Sequence, residues 1–227
     1  MQPLALDLFC GGGGVCLGLQ RAGFRVVGMD HRPQPDYPGD FLLADALRPP
    51  VDLADFALVW ASPPCQAYVT VGKNAHGDRG HPDLVADTRR LLTGHPVTCI
   101  ENVPGAPLRP TLSLSGDDFG EWRYRRKRIF ETSFTCHPPL LSAPPRPANA
   151  LITVSAIGAG GANGKFHRRR AGMGLPTSTS IAEIEDAFGV HHIKSGTAAE
   201  RRRTLNQMVP PIYAEWIGRQ AMEAING

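Results

Sequence analysis

Short apolar runs alternate with helix-like segments through the first half of the chain, which is typical of a parallel α/β sheet. Each apolar run has the length of a buried strand and ends at a polar residue or a turn signal. The runs predict strands at residues 4–9, 25–30, 41–43, 55–60, 97–101 and 128–134. Helical spacing of Val15, Leu19 and Ala22 predicts a helix after the first strand, and residues 82–92 predict another. The predicted fold class is therefore α/β.

The chain changes character after residue 134. Prolines, and then glycines interleaved with basic residues, dominate residues 135–203, which are too glycine-rich for a large core and predict an insert. Within it, Ser180 and Glu183 have the spacing of a capping box that opens a short helix, stopped by Gly189. A further amphipathic helix is predicted at residues 211–224. The chain is accordingly divided into residues 1–134, an insert at 135–203, and a C-terminal helical segment at 204–227.

Charge and cysteine content indicate which partner and which cellular compartment to expect. Half of the 24 basic residues fall in three clusters, at residues 123–128, 165–170 and 201–203, which suggests a polyanionic partner rather than a merely solvated face. Five cysteines at irregular spacing do not resemble a disulfide framework, so we expect a reducing, cytoplasmic location. No apolar run reaches 18 residues, so no membrane partner is expected. We expect a monomer.

A glycine-rich turn follows the first predicted strand. Glycines there let the backbone approach a ligand at the N-terminus of the next helix. Asp30 ends the second strand, where a carboxylate binds ribose hydroxyls, and Asp45 follows the third, where it can accept from an adenine amino group. The glycine offsets do not match G-x-G-x-x-G, and Phe9, Gly11 and Gly13 are closer to the pattern of S-adenosylmethionine enzymes. A tight turn without a ligand is the alternative.

Two chemically reactive side chains end later strands. Cys65 lies on a loop that Pro63 and Pro64 stiffen, and Glu101 ends the strand at 97–101. Carboxyl ends of parallel strands meet at one sheet edge, so we expect a shared site. A thiolate there can add to C6 of a pyrimidine while a carboxyl of raised pKa protonates N3, which makes C5 nucleophilic. A buried structural cysteine and a capping acid are the alternatives.

These segments, in this order, resemble the DNA cytosine-C5 methyltransferase family, especially its compact phage and bacterial members. The resemblance rests on Asp-Leu-Phe-x-Gly-x-Gly-Gly at residues 7–14, Pro-Cys-Gln at 64–66 and Glu-Asn-Val at 101–103, and it resumes at about 204–220. It implies a Rossmann-like S-adenosylmethionine-dependent methyltransferase fold with a mostly parallel sheet and a short variable target-recognition insertion. It also implies methyl transfer from S-adenosyl-L-methionine, or a close variant, to C5 of a flipped-out cytosine in double-stranded DNA.

The resemblance implies a role for each matching residue. Cys65 would be the nucleophile and Glu101 the N3 acid, while Asn102 and Gln66 order the site. The family's Gln-x-Arg-x-Arg motif stands here at residues 124–128 with Tyr124 in place of Gln, so that Arg126 and Arg128 would contact phosphate and the cytosine carbonyl. The implied cofactor-binding residues are Phe9, Cys10, Gly11, Gly12, Gly14, Asp30, His31, Asp45, Ala46, Pro64, Gln207 and Val209.

The short variable region predicts a short or degenerate recognition sequence, with phosphate contacts at Arg168, Arg169 and Arg170. Cytosine-C5 modification of RNA stays open, because tRNA-modifying relatives share these motifs. Transfer of a modified one-carbon group from a cofactor variant, a catalytically weak DNA-binding scaffold and modification of free nucleotides are further alternatives. No metal is expected, because Cys136-His137 and His191-His192 lack the spacing of a zinc site.

Overall fold

The computed structural model describes residues 1–68, 82–121, 123–140 and 180–227. Seven strands form one sheet in the order β3-β2-β1-β4-β5-β7-β6. Their bounds are β1 Leu4–Leu8, β2 Arg25–Asp30, β3 Asp40–Leu43, β4 Leu58–Ala61, β5 Thr98–Asn102, β6 Leu112–Leu114 and β7 Arg128–Thr132. Strands β1 to β5 are parallel, and β7 runs antiparallel to both β5 and β6. The predicted α/β class with a mostly parallel sheet is confirmed.

Sheet topology determines where a ligand can bind. The chain leaves β1 towards β2 and β3, and then returns to place β4 on the other side of β1. The strand order therefore reverses between β1 and β4. In open α/β sheets, the crevice beyond the carboxyl ends of the strands at such a reversal is the usual ligand site.

The described residues include helices α1 Gly14–Arg21, α2 Val85–Leu91, α3 Ile181–Phe188, α4 Ala198–Gln207 and α5 Pro211–Asn226, with short 3-10 turns at Leu53–Asp55 and Gly116–Phe119. Helix α1 packs closely on α5 because Gly18 faces it: a Cβ at Gly18 would lie 2.3 Å from the carbonyl oxygen of Pro211. None of these helices is long and apolar enough to cross a membrane.

Two elements were not predicted from the sequence. Strand β6 has only three residues, which is too short to give a periodic signal. Helix α4 begins at a capping box in which Thr197 accepts from the amide of Glu200, the same signal that predicted α3 at Ser180 and Glu183. Strand β4 starts at Leu58 rather than at residue 55, because the side chain of Asp52 accepts from Ala54 N–H and caps a 3-10 turn there.

Apolar residues on one face of the sheet join the C-terminal helices into one core. Ile184 and Phe188 of α3 and Leu205 of α4 are buried in the same cluster as residues of α1 and α5. Residues 180–193 therefore pack into the main core, and the predicted division at residue 203 falls inside α4. The basic cluster at 165–170, with Arg168, Arg169 and Arg170, lies outside the described residues.

Candidate functional site

A cavity of about 1070 Å³ opens at the carboxyl edge of the sheet, next to the reversal between β1 and β4. Four segments line it: the glycine turn at residues 9–14, the loops that follow β2 and β3, the cysteine loop after β4, and the segment at the end of α4. Glu101 of β5 and Arg128 of β7 reach it from neighbouring strands. The site is thus assembled from both ends of the chain.

Backbone geometry of the turn explains its glycines. Gly11 has φ 47° and Gly13 has φ 79°, a region that favours residues without a Cβ. A Cβ on Gly14 would lie 2.1 Å from the carbonyl oxygen of Val209, so glycine is required for the turn to meet the end of α4. A Cβ on Gly11 would have no atom within 4 Å. The Gly11 backbone is therefore accessible to a ligand in the cavity.

Acidic side chains fix the opposite wall. The Asp30 carboxylate accepts from Gly11 N–H at 3.2 Å and from Arg32 N–H at 3.0 Å, and it lies 3.1 Å from Nδ1 of exposed His31. Asp45, which follows β3, accepts from Leu47 N–H at 3.0 Å. Both carboxylates line the cavity and are held by backbone amides, which orients them for hydrogen bonds to a ligand.

A loop from the C-terminal half crosses the rim of this wall. His192 Nε2 lies 2.8 Å from the carbonyl oxygen of Gly12, which belongs to the glycine turn. The Asp36 carboxylate accepts from Lys194 N–H at 2.9 Å, from Ser195 N–H at 2.6 Å and from the Ser195 hydroxyl at 2.8 Å. We call the residues 192–195 with Asp36 the rim strap. Sequence reasoning missed it, because His192 had been considered only as a zinc ligand.

Cys65 lies half-buried on the loop that follows β4. Burial raises the pKa of its thiol above the ordinary value of 9.0, and the negative charge of Glu101 raises it further. Arg128, a backbone hydrogen bond and Arg126 act in the opposite direction. The thiol is therefore protonated near neutral pH, and a thiolate can form only if a neighbouring group accepts or offsets its charge.

Glu101 and Arg128 form a nearly buried pair beside this thiol. Glu101 Oε1 lies 2.7 Å from Arg128 Nε, and the two side chains are 7% and 13% exposed. The contact is an ion pair by distance, and Oε1 has no hydrogen-bond partner of good geometry among the residues that the structure describes. Burial raises the pKa of Glu101, while Arg128, Arg126 and Ser62 lower it. The net direction is upward, which is what a proton donor needs.

Asn102 supports the cysteine loop from below. Its side-chain amide donates to the carbonyl oxygen of Pro63 at 2.9 Å and accepts from Val103 N–H at 2.9 Å. The residue is 1% exposed and does not line the cavity. Asn102 therefore ties the end of β5 to the loop that carries Cys65, which agrees with an ordering role.

The structure brings nearly all the predicted site residues together. All the predicted cofactor-binding residues line the cavity, namely Phe9, Cys10, Gly11, Gly12, Gly14, Asp30, His31, Asp45, Ala46, Pro64, Gln207 and Val209. Of the predicted catalytic residues, Cys65, Gln66, Glu101 and Arg128 line it as well. These placements agree with the predicted roles, which stay predictions.

Arg126 is placed differently from what the resemblance implied. It is 5% exposed and does not line the cavity, and its guanidinium donates to the carbonyl oxygens of Asn206 and Met208. A guanidinium buried away from the cavity does not contact a phosphate or a cytosine bound there. In this arrangement only Arg128 of the Arg-x-Arg pair faces the cavity.

Several of the described basic residues in the predicted clusters pair with nearby acids. Arg123 pairs with Glu121 and with Asp186, Arg125 pairs with Asp117, and Arg201 pairs with Glu185. An exposed pair such as Arg125–Asp117 contributes little stability, but ion pairs at these arginines reduce the field that a polyanion would meet. The basic clusters at 123–128 and 201–203 therefore give weaker support for a nucleic-acid-binding surface than their composition alone indicates.

Comparison with known proteins gives the fold independently. No protein-family model and no curated protein sequence matches the chain. Among solved structures, the S. pombe Dnmt2 methyltransferase superposes with a TM-score of 0.63 at 13% identity, covering 100% of both chains. A triple mutant of Spodoptera frugiperda DNMT2 gives a TM-score of 0.59 at 12% identity, covering 99% of this chain and 100% of that one. At such identities the likeness shows the fold, and the chain has the Rossmann-like fold of these Dnmt2 methyltransferases.

Proposed function

We propose that the protein transfers a methyl group from S-adenosylmethionine to C5 of a cytosine held in the cavity. The observation that carries this proposal is the meeting of three groups in one cavity: the Cys65 thiol, the buried Glu101–Arg128 pair and the glycine turn. Each alone has an ordinary structural explanation. Together they offer a nucleophile, an acid and a nucleoside-binding wall in one cavity.

The residues present fit the cofactor. Gly11 offers a ligand an unobstructed backbone, Asp30 is placed for ribose hydroxyls and Asp45 for an adenine amino group. The volume of about 1070 Å³ is at the top of the range of roughly 300–1,000 Å³ for small-molecule sites, which leaves room for a base beside the cofactor. When bound, S-adenosylmethionine supplies an electrophilic methyl group on a sulfonium.

Proton placement follows from the charges around the thiol. The charge of Glu101 raises the pKa of Cys65, so the state in which both groups are ionised is disfavoured. A thiolate on Cys65 is therefore most accessible when the Glu101 carboxyl carries a proton, and Arg128 then favours the thiolate. The reaction requires this same distribution, a sulfur anion and a neutral carboxylic acid.

The steps balance with these groups. Cys65 Sγ forms a bond to C6 of the cytosine, the C5–C6 π electrons move through the ring, and N3 takes the proton of Glu101. C5 would then take the methyl group that bound S-adenosylmethionine supplies. Loss of the C5 proton to solvent water, departure of Sγ from C6 as a thiolate and return of the N3 proton to Glu101 restore the aromatic ring and the starting groups. Arg128 is placed to donate to the cytosine carbonyl while it stays beside Glu101.

The proposed substrate is cytosine in double-stranded DNA, with the base flipped out, because C6 cannot be attacked inside a base stack. A polymer substrate is supported by the basic character of the chain, although several described arginines are paired. RNA with an unstacked cytosine would meet the same chemical requirements. The test therefore includes both polymers.

The experiment incubates the protein and S-adenosylmethionine with mixed-sequence duplex DNA and, separately, with total tRNA, and then measures nucleosides by mass spectrometry. We expect 5-methylcytosine in the DNA arm, and the mass of the product identifies the transferred group. 5-Methylcytosine only in the tRNA arm would move the substrate to RNA. Absence of a C5-modified cytosine in both arms would overturn the proposal.

The Cys65→Ser variant tests the role of the nucleophile independently of cofactor binding. We expect the variant to lose turnover and to form no covalent complex with duplex DNA that contains 5-fluorocytosine, while it still binds S-adenosylmethionine. Cys136→Ala is the matched control, because Cys136 is a buried cysteine that does not line the cavity. Trapping by Cys65→Ser at the wild-type level would refute the nucleophile assignment.

A further inference from the structure

Arg126 occupies an unusual position for a charged residue. It is 5% exposed and has φ 39°, a left-handed conformation that few non-glycine residues adopt. The hydroxyl of Tyr213 on α5 donates to the carbonyl oxygen of Arg125 at 3.0 Å, and it lies 3.4 Å from that of Arg126. Such a conformation persists only where the surroundings hold it, and it often marks a functional constraint.

The guanidinium reaches the end of α4. Nη2 donates to the carbonyl oxygen of Asn206 at 2.6 Å and to that of Met208 at 3.0 Å. The cation also lies 5.2 Å from the centroid of the Phe188 ring. The last carbonyls of a helix have no partner within it, and a cation there is favourable. Arg126 thus closes the C-terminal end of α4.

Those two carbonyls flank Gln207, whose side chain lines the cavity together with Val209. Two residues after Arg126, Arg128 pairs with Glu101, and both residues line the same cavity. One short segment of backbone therefore connects the predicted cofactor wall with the predicted acid.

Packing alone does not account for an arginine here. Nε and Nη1 have no hydrogen-bond partner among the described residues, and burial together with Arg128 lowers the pKa of Arg126 to about 9. A buried cation with unused donors is costly, and an apolar side chain of similar size would pack at lower cost. The contacts of Nη2 with the two carbonyl oxygens at the end of α4 therefore give the reason for a charged residue at this position.

We infer that Arg126 is a positioning residue that holds the cofactor wall at residues 206–209 in register with the Glu101–Arg128 pair, without touching cofactor or base. This inference rests on the proposed function. The sequence motif implied that Arg126 contacts phosphate. We infer instead that Arg126 contributes to affinity for the cofactor and not to affinity for the nucleic acid.

The test compares Arg126→Met, an unbranched apolar side chain, and Arg126→Lys, which keeps a positive charge on a shorter, more compact and more flexible donor. Calorimetric titration with S-adenosylmethionine, in the absence of nucleic acid, gives Kd. We expect Kd to rise at least tenfold in Arg126→Met and less in Arg126→Lys. In turnover assays the KM for S-adenosylmethionine rises in parallel, while kcat at saturating cofactor and the KM for nucleic acid stay within about threefold of wild type, as expected for lost uniform binding.

Arg125→Met is the matched control, because Arg125 is an exposed neighbour paired with Asp117, and we expect its cofactor Kd to be unchanged. Wild-type cofactor affinity in a folded Arg126→Met would overturn the inference, as would a raised KM for nucleic acid alone. If Arg126→Met does not fold, Arg126→Lys decides by the same criteria. A wild-type protein without affinity for S-adenosylmethionine would instead refute the proposed function, so the two failures are distinguishable.

Discussion

The buried carboxyl of Asp7 gives the most quantitative prediction. Asp7 is the penultimate residue of β1, two residues before the glycine turn, and has no exposed surface. Its Oδ2 accepts from the hydroxyl of Tyr37 at 3.0 Å, and Oδ1 has no partner among the described residues. Burial raises the pKa of Asp7 from its ordinary value of 3.8 to about 8; Tyr37 opposes the rise, and Asp30 and Glu101 add to it. The folded protein therefore keeps a proton here that the unfolded chain releases.

The sign and size of the effect follow from linkage. The folded pKa is the higher one, so the stabilisation is fully present below pH 3.8 and is lost as the pH rises through about 8. Within that window, the free energy of unfolding falls by about 1.4 kcal/mol per pH unit for one proton. Asp7→Asn keeps the shape and cannot ionise. As the pH rises, we expect the free energy of unfolding of Asp7→Asn to increase relative to that of wild type by about 1.4 kcal/mol per pH unit, so that the difference reaches several kcal/mol near pH 8.

Urea unfolding of wild type and Asp7→Asn at pH 5, 6, 7 and 8 gives the difference in free energy of unfolding at each pH, and contributions from other titrating groups cancel in that difference. Tyr37→Phe is the second variant: without the hydrogen bond that lowers the pKa of Asp7, the window extends to higher pH. A difference between wild type and Asp7→Asn that does not vary with pH would refute the reasoning.

Three further variants test the site. Glu101→Gln should lower kcat by a factor of about 10²–10⁴, because the acid is lost. The Kd for the cofactor, measured as a control, should be unchanged. An undiminished kcat would contradict the role of Glu101 as the acid that protonates N3. Gly14→Ala should destabilise the fold by roughly 1–3 kcal/mol, since its Cβ would meet the backbone oxygen of Val209 at 2.1 Å, and a wild-type melting temperature would contradict this contact. Asp36→Ala removes the acceptor of three hydrogen bonds of about 1 kcal/mol each in the rim strap. Because about 1.4 kcal/mol corresponds to a factor of ten, dissociation of S-adenosylmethionine should be at least tenfold faster in stopped-flow displacement. An unchanged rate would show that the strap does not retain the cofactor.

The sequence predicted those parts of the molecule in which residue type and local spacing agree. Strand ends, the glycine turn, Cys65 and Glu101 carry short-range signals, and the sheet brings them to one edge as expected. Contacts such as that of His192 with Gly12 escaped prediction, because they join a side chain to a backbone atom far away in sequence and leave no local pattern.

Arg126 shows that a sequence motif does not by itself determine where a side chain points. The resemblance implied that Arg126 and Arg128 both contact the substrate, at phosphate and at the cytosine carbonyl. Strand β7 begins at Arg128, and Arg126 lies before it in a left-handed conformation, so that only Arg128 lines the cavity. Positive φ at a bulky residue depends on tertiary packing, here on Tyr213 and Phe188, which no local window contains.

Contact between the glycine turn and the end of α4 has a consequence for biosynthesis. Gly12 and Gly14, near the start of the chain, form their wall against Thr204, Met208 and Val209, near its end. Early strands can pair while later residues are still being translated, but this wall is absent until α4 has left the ribosome and docked. We therefore expect S-adenosylmethionine to bind only after α4 has docked on the glycine turn, and ligand-induced protection from proteolysis to be confined to chains that include α4.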